Sequence, residues 1–595
     1  MFASKLSHWR CWWNAHNESR GFERLLDRAW FWTVVIASSV WCIGAAHRLG
    51  ATFDEPIYLI RGLEHWRTGS AHGLIRMGTM PLPADVATLP LYLWERCTGT
   101  AIDTERDWEH IIAYARAGTL LFWWLLLFFA ARTGRLLAGP WGGRLALPLL
   151  ACEPSFLAHA SLATTDIAVA GCLMALVYYF RTGRDQNWFR RIAVPAFWFG
   201  TATLAKASGM VYGGICLGIM ELERLARDGT LAWESGVGWR VHLRTIWQRT
   251  RPVRRDLAQI VAGGFLWTFL YCGCDWQPQP SFVAWAQGLP EGSHKQAAVW
   301  LAEHLRIFSN AGEGIIRQVK HNMHGHGTYI LGRTDPRSLW YYFPLTLSIK
   351  LTTPLLLMPI VLLLLRPRNL ANWACLTAAV LVLFSITWHV QIGIRLVLPL
   401  VAIGSVGLAA AIALAWQQCA SQWKRGLLLW SSTGAIIWSA TAAALIWPEG
   451  LCYVNELWGG AKRGYRLVSD ANYDWGQGLP ELVQWQQQYG MEALDVWYFG
   501  TDPRLPRLPV RELPLHALPI HTPQDVWQYV HGRMLAVSTT LRYGPPALTQ
   551  AHAQACTFLE AYRPVARTRT FLIYDFREGP AQRLSAAPLP REETR

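Results

Sequence analysis

Two carboxylates stand side by side in the stretch Thr52, Phe53, Asp54, Glu55, Pro56, Ile57, a few residues after a long apolar run. Carboxylates beside hydrocarbon are poorly solvated and costly to keep ionised, so such a pair marks a substrate path, a proton relay or a general base. The same Asp-Glu-Pro also reads as a helix start with proline in the first turn, and the residue types alone leave both readings open. A second acid, Asp166, follows His159, Thr164 and Thr165, and could again be either a cap or a reactive group. Cations recur at equivalent apolar-run ends: Lys206, His389, Arg395, and further off Arg333 and Lys350. Arginine suits a phosphate because its planar fork donates two parallel hydrogen bonds, whereas a lone cation near an apolar run is often a snorkelling side chain. His321, His324 and His326 could bind a metal, but no Cys or carboxylate joins them at ligand spacing.

These residues sit at the ends of apolar blocks, and the blocks define the class. Of 595 residues 52% are hydrophobic and 34 are tryptophan, gathered in runs such as Thr119 to Ala131, Pro354 to Leu365, Leu376 to Ile386 and Gly426 to Ile446. With their flanks they approach the roughly 20 residues a spanning helix needs. Backbone amides in hydrocarbon must be satisfied within their own segment, so the expected fold is mainly α: a polytopic bundle of about eleven membrane helices. The first run, near Ala29 to Ala46, lacks a small-residue cleavage site and is read as an uncleaved first helix.

A net charge of +15 invites a nucleic-acid partner, but its distribution points to topology instead. Arginine and lysine crowd the segments before Ala29, from Arg132 to Arg144, Arg181 to Arg191, Arg224 to Arg255, and around Arg366, Arg368, Lys424 and Arg425. With a cytoplasmic N-terminus every one falls inside, as the positive-inside rule requires. Asp54, Asp166, Lys206 and Arg395 then share the opposite face. The loop Glu223 to Asp256, with eight arginines and Trp233, Trp239 and Trp247, is expected to meet lipid headgroups.

Residues 1–447 are expected to form the bundle, with external loops at 50–110 and 273–340, and residues 448–595 a small external α/β domain. Its expected strands are Asp495 to Phe499, Met534 to Thr539 and Arg569 to Tyr574, its helix Leu479 to Tyr489, and Gly500 to Thr522 an irregular connector. No internal repeat is evident. Cys452 and Cys556 could pair in an oxidising compartment, and the sequence leaves that open.

The order Thr52 to Pro56, then Met80-Pro81-Leu82-Pro83, Glu153-Pro154, Ala158-His159 and Thr164-Thr165-Asp166 resembles membrane glycosyltransferases of the C-type fold. Within that superfamily the protein O-mannosyltransferases and lipid A aminoarabinose transferases are most similar. The resemblance continues through Leu204-Ala205-Lys206, Tyr329 to Gly332, Tyr341 to Lys350 and Ile392 to Pro399, and in the tail through Tyr453 to Glu456 and Asn472 to Gln477. It implies transfer of a sugar, with inversion, from a polyprenyl phosphate to an acceptor hydroxyl on a lipid, glycan or protein, outside a bacterial inner membrane. It implies Asp54 as base with Glu55 its neighbour, Asp166 as an acid that orients the acceptor or binds a divalent metal where one is used, and Arg395 and Lys206 to neutralise charge on the donor phosphate; His389 and Lys350 are expected beside them from the residue chemistry above. The family often carries histidine where this chain has Met80, which puts a histidine ligand there in doubt. The competing expectation is a transporter or flippase of a lipid-linked saccharide; such proteins usually show repeat symmetry and mid-helix charges, whereas the charges here collect at helix ends.

Overall fold

A computed structural model describes residues 2–232, 238–307 and 309–577; Trp233 and the tail beyond residue 577 lie outside the described residues. The chain is mainly helical, with a small sheet-containing region at its C-terminal end. Among the described residues four helices are long and apolar enough to cross a membrane: Gly21–Arg48, Trp108–Ala151, Ile394–Gln417 and Gln422–Ile446. A fifth results if the bent pair Tyr342–Lys350 and Thr353–Leu365 is taken as one span.

The expected count of about eleven is reached as helical segments once Trp108–Ala151 is divided. Its backbone leaves helical geometry at Ala138 and Gly139, and Gly139 takes φ +71. A Cβ on Gly142 would collide with the Gly134 carbonyl, so the two arms turn back on each other where glycine permits the approach. Asp166–Gly183, Val194–Ala205, Ser208–Arg227, Arg251–Cys272 and Trp373–Ser385 supply the rest. Charged ends or short lengths separate these from the four long apolar helices.

Leu398–Gln417 is buried nearly all round and packs chiefly on Trp108–Ala151, as an all-apolar helix must. Arg116 donates to the carbonyls of Ala46, Leu49 and Gly50, which ties the start of one arm to the end of the first helix. At the opposite end Arg135 and Arg144 pair with Asp27. Hence the first helix and the first arm run antiparallel.

The tail departs from the division expected at Trp447. Its sheet begins at Leu494, with strand order Arg511–Glu512, Leu494–Trp497, Met534–Ser538, Phe571–Asp575, Ala566–Arg567; the first three are parallel and the rest antiparallel. The expected strands and the helix Leu479–Gln488 are present within a residue or two. Residues 450–477, however, are threaded into the end of the bundle. Lys350 Nζ donates to the carbonyls of Leu451, Tyr453 and Asn472 at 2.7, 2.5 and 2.7 Å. Asn455 Nδ2 bonds the carbonyls of Ser348 and Leu351 at 2.7 and 2.8 Å, and Asn472 Oδ1 accepts from the Ile394 amide at 2.8 Å. Residues 450–477, expected within the external domain, here satisfy helix-end backbone groups of the bundle. Cys452 and Cys556 are free, buried thiols, each near a backbone carbonyl, of Tyr473 and Leu541.

Candidate active site

Four of the residues singled out by sequence meet at one end of the bundle, each delivered by a helix end. Asp54 precedes Glu55–Thr68, Asp166 opens Asp166–Gly183, Lys206 fills the break between Val194–Ala205 and Ser208–Arg227, and Arg395 lies in the 3-10 turn Ile394–Val397 that leads into Leu398–Gln417. They form a chain of alternating charge. Arg395 Nη1 is 2.8 Å from Asp54 Oδ2 and 4.0 Å from Asp166 Oδ2, and Lys206 Nζ donates to Asp166 Oδ1 at 2.6 Å. The Asp166 side chain is fully buried and Arg395 nearly so, whereas Asp54 and Lys206 keep 23% and 20% of their surface. The inner members are therefore enclosed and the outer two are reachable.

The cap reading of both acids fails. Neither Asp54 nor the N-cap Thr165 makes a side-chain capping bond, and the Asp54 carboxylate faces Arg395 and, at 3.4 Å, the Tyr58 hydroxyl. Tyr58 stands four residues after Asp54 on the helix that starts there, a spacing that brings side chains together and was legible in the sequence.

Glu55 is a correction. It turns away from Asp54 and takes both Nε and Nη2 of Arg116 in a fork, at 2.8 and 2.7 Å, with both side chains fully buried. It also accepts from the amides of Ala163 and Thr52 and from the Thr52 hydroxyl. A carboxylate so fully bonded is a joint between the first loop, the Trp108–Ala151 arm and the turn before Asp166, not a proton acceptor for substrate.

Lys350 is a second correction, because its three N–H donors are all spent on the tail carbonyls described above, which leaves none for a phosphate. His389 is bound to Asn322: its Nδ1 lies 3.0 Å from the Asn322 carbonyl and its amide bonds Asn322 Oδ1 at 3.2 Å. Arg333 lies exposed against the Tyr341 hydroxyl. None of these three is brought into the charged chain.

For a divalent metal the donor set is unsuitable. Asp54 and Asp166 already face an arginine and a lysine, whose charge a further cation would oppose, and among the described residues no three His, Cys, Asp or Glu side chains converge. His321 Nε2 and His326 Nδ1 bond each other at 3.0 Å, and His324 bonds the Lys320 carbonyl.

The tail contributes two residues to which the sequence reading gives no role, Trp475 and Asp470. The Arg395 guanidinium lies 4.1 Å from the centroid of the Trp475 ring, a cation held on an aromatic face. Gly50 and Phe53 donate their amides to the carbonyls of Gln477 and Trp475, so the tail pairs with the loop that carries Asp54. Asp470 is buried, sits at φ +56, and takes the Ala471 amide at 2.7 Å while its own amide bonds Thr540 Oγ1 at 2.8 Å. Burial pushes its carboxyl up to about 7, against the pull of Arg395 and with the push of Asp54. A non-glycine residue held at positive φ is a strained position of the kind found at functional sites.

No protein-family profile and no curated protein matches this chain. Among solved structures it is similar to ArnT from Cupriavidus metallidurans bound to undecaprenyl phosphate, at 14% identity over 92% of this chain and 98% of that one, with a TM-score of 0.43. It is also similar to the archaeal oligosaccharyltransferase AglB from Archaeoglobus fulgidus in complex with an inhibitory peptide and a dolichol-phosphate, at 10% identity over 92% and 74% of the two chains, with a TM-score of 0.44.

Proposed function

We propose that this chain is a membrane glycosyltransferase that moves a sugar, with inversion, from a polyprenyl phosphate to an acceptor hydroxyl at the non-cytoplasmic face. One contrast supports it most. The Glu55–Arg116 pair is saturated with hydrogen bonds, as a structural ion pair must be when buried. The neighbouring chain is not: Asp166 Oδ2 and Arg395 Nε are buried with no hydrogen-bond partner among the described residues, and Arg395 reaches Asp54 through one nitrogen. Buried polar groups are ordinarily paired, so these open valences are suited to a ligand that brings both acceptors and donors.

A phosphate monoanion or diester supplies the acceptors. Arg395 and Lys206 neutralise charge on the donor phosphate as the bond from the sugar's anomeric carbon to the phosphate oxygen breaks. Engagement of Arg395 by the phosphate frees Asp54 from its resting partner. Asp54 then takes the proton of the acceptor hydroxyl, whose oxygen forms the new bond to the anomeric carbon from the opposite side. The polyprenyl phosphate leaves with the electron pair of the broken bond. Asp166, held by Lys206, orients Arg395 and the acceptor.

The test is a panel of short-chain polyprenyl-phosphate hexoses and pentoses offered to the purified protein in nanodiscs together with envelope lipid extract. Release of polyprenyl phosphate with appearance of a glycosylated acceptor is the expected result. Binding of the lipid sugars without any turnover across the panel and the extract would remove the enzymatic assignment.

A further inference from the structure

At the end of the bundle remote from the charged chain, the first helix and both arms of Trp108–Ala151 enclose a groove of about 870 Å³. Asp27 lines it, and Arg48 closes the same helix about 30 Å away at 1.5 Å per residue, so the groove shares no wall with Asp54. Its long wall is apolar, built from Trp30, Phe31, Trp124 and Phe128. Trp30, Trp124 and Phe128 are also substantially exposed on the protein surface, which leaves the groove open sideways toward the surroundings of the helices.

The polar end is unbalanced. Arg28, Arg132, Arg135 and Arg144 line this end of the groove against one carboxylate among the described residues, Asp27. Asp27 is already shared, its Oδ1 taking Arg144 Nε at 2.7 Å and its Oδ2 pairing with Arg135. Arg144 Nη2 is buried without a hydrogen-bond partner among the described residues. The backbone here is also fixed, since the Trp30 indole donates to the Arg144 carbonyl at 3.0 Å. A slot with an apolar body, a surplus of guanidinium at one end and a lateral opening is complementary to an amphiphile with an anionic head. Basic pockets between membrane helices bind lipid phosphate by the same charge-assisted bonds.

We propose that this groove is a binding site for an anionic phospholipid of the surrounding bilayer, with its phosphate on Arg144 and Arg135, assisted by Arg28, and an acyl chain along Trp124 and Phe128. The site is independent of the glycosyl-transfer assignment and stands whether or not that assignment does.

The full chain in neutral detergent, titrated with phosphatidylglycerol or phosphatidylcholine and read by native mass spectrometry, tests it. One phosphatidylglycerol per chain should persist under activation that strips phosphatidylcholine, and it should raise the melting temperature. The double variant Arg28→Gln with Arg135→Gln leaves Arg144 to hold Asp27, so the fold is retained. It should bind phosphatidylglycerol about tenfold more weakly or worse, as expected for lost hydrogen bonds to a charged group, and lose the thermal shift. Equal retention of the two lipids, unchanged affinity in the double variant, or displacement of the bound phosphatidylglycerol by equimolar farnesyl phosphate would each overturn the proposal.

Discussion

Arg395 Nη1 sits 2.8 Å from Asp54 Oδ2 with its guanidinium stacked on Trp475, so a residue from the last third of the chain holds a cation onto a carboxylate from the first tenth. In this resting arrangement the proposed base is occupied, and the group that occupies it is the one best suited to a phosphate. On the proposed mechanism, donor binding and release of the base are the same event.

Asp54→Asn keeps the shape and the contact with Arg395 but removes the proton acceptor. Transfer should fall by about 10²-fold or more, the contribution typical of a general base, while detergent-solubilised protein elutes and melts as the parent does. Product formation from a lipid-linked sugar is the measurement, and a variant retaining a third of parental turnover would take Asp54 out of the mechanism.

Arg395→Lys preserves charge but loses the fork and the flat stacking surface against Trp475. We expect KM for the lipid donor to rise roughly tenfold, the lower end of what one hydrogen bond to a charged group contributes, with a smaller fall in kcat. Arg395→Gln should be worse, because Asp54 loses its counter-charge and Asp166 keeps only Lys206. Donor-dependence curves for the three proteins separate these outcomes, and a lysine variant with the parental KM contradicts phosphate binding by Arg395.

Glu55→Gln should behave as the opposite of Asp54→Asn. It leaves the Arg116 guanidinium uncompensated in a fully buried site, and breaking such a pair costs about 3–5 kcal/mol. The expected result is low yield and a lowered melting temperature, with specific activity of the surviving folded fraction close to parental. A stable Glu55→Gln protein devoid of activity would restore Glu55 to the chemistry.

Asp470 gives a pH dependence. Its carboxyl holds a proton up to about 7 in the folded protein, whereas an unfolded aspartate releases it near ~3.9. Between those values the folded state binds more protons, so the Asp470 contribution to stability is full at acid pH, falls as pH rises toward 7, and changes no further above. Asp474 and Glu449, raised by burial to about 6 and about 8, act in the same sense. Asp470→Asn should flatten the melting-temperature profile between roughly pH 4 and 7 by the Asp470 share alone, so the difference between the two curves isolates it. Parallel curves would mean that Asp470 is solvated and ionised throughout.

Much of the helical architecture was legible because apolar blocks and clustered arginines report on burial and helix ends directly. Asp54, Asp166, Lys206 and Arg395 were found because each is a charged residue at a helix end, where backbone geometry aims it into the mouth. Glu55 was misread because adjacent carboxylates look alike in sequence. Only the register of Arg116, whose side chain meets it across 61 positions, decides that one faces inward and the other the mouth. Lys350 was misread for the same reason: its terminal nitrogen reaches carbonyls about a hundred residues onward, a pairing that no local pattern encodes. Asp470 lies outside every motif, and Trp475, although within the Asn472 to Gln477 stretch of the resemblance, has no role there until that stretch is threaded into the bundle against Arg395.

That threading yields the last prediction. Lys350 is 1% exposed and its ammonium closes three backbone carbonyls that have moved out of water, those of Leu451, Tyr453 and Asn472. Lys350→Met fills the same space but strands all three acceptors, each costing on the order of 1–3 kcal/mol when buried unpaired. Residues 450–477 should therefore loosen from the bundle before the sheet does, carrying Trp475 away from Arg395. Limited proteolysis should open new cuts within 450–477 while the bundle remains folded, and transfer activity should fall even though no group proposed to touch substrate has changed. An unaltered cleavage pattern with parental activity would show that the tail is held by its other contacts and that Lys350 is dispensable.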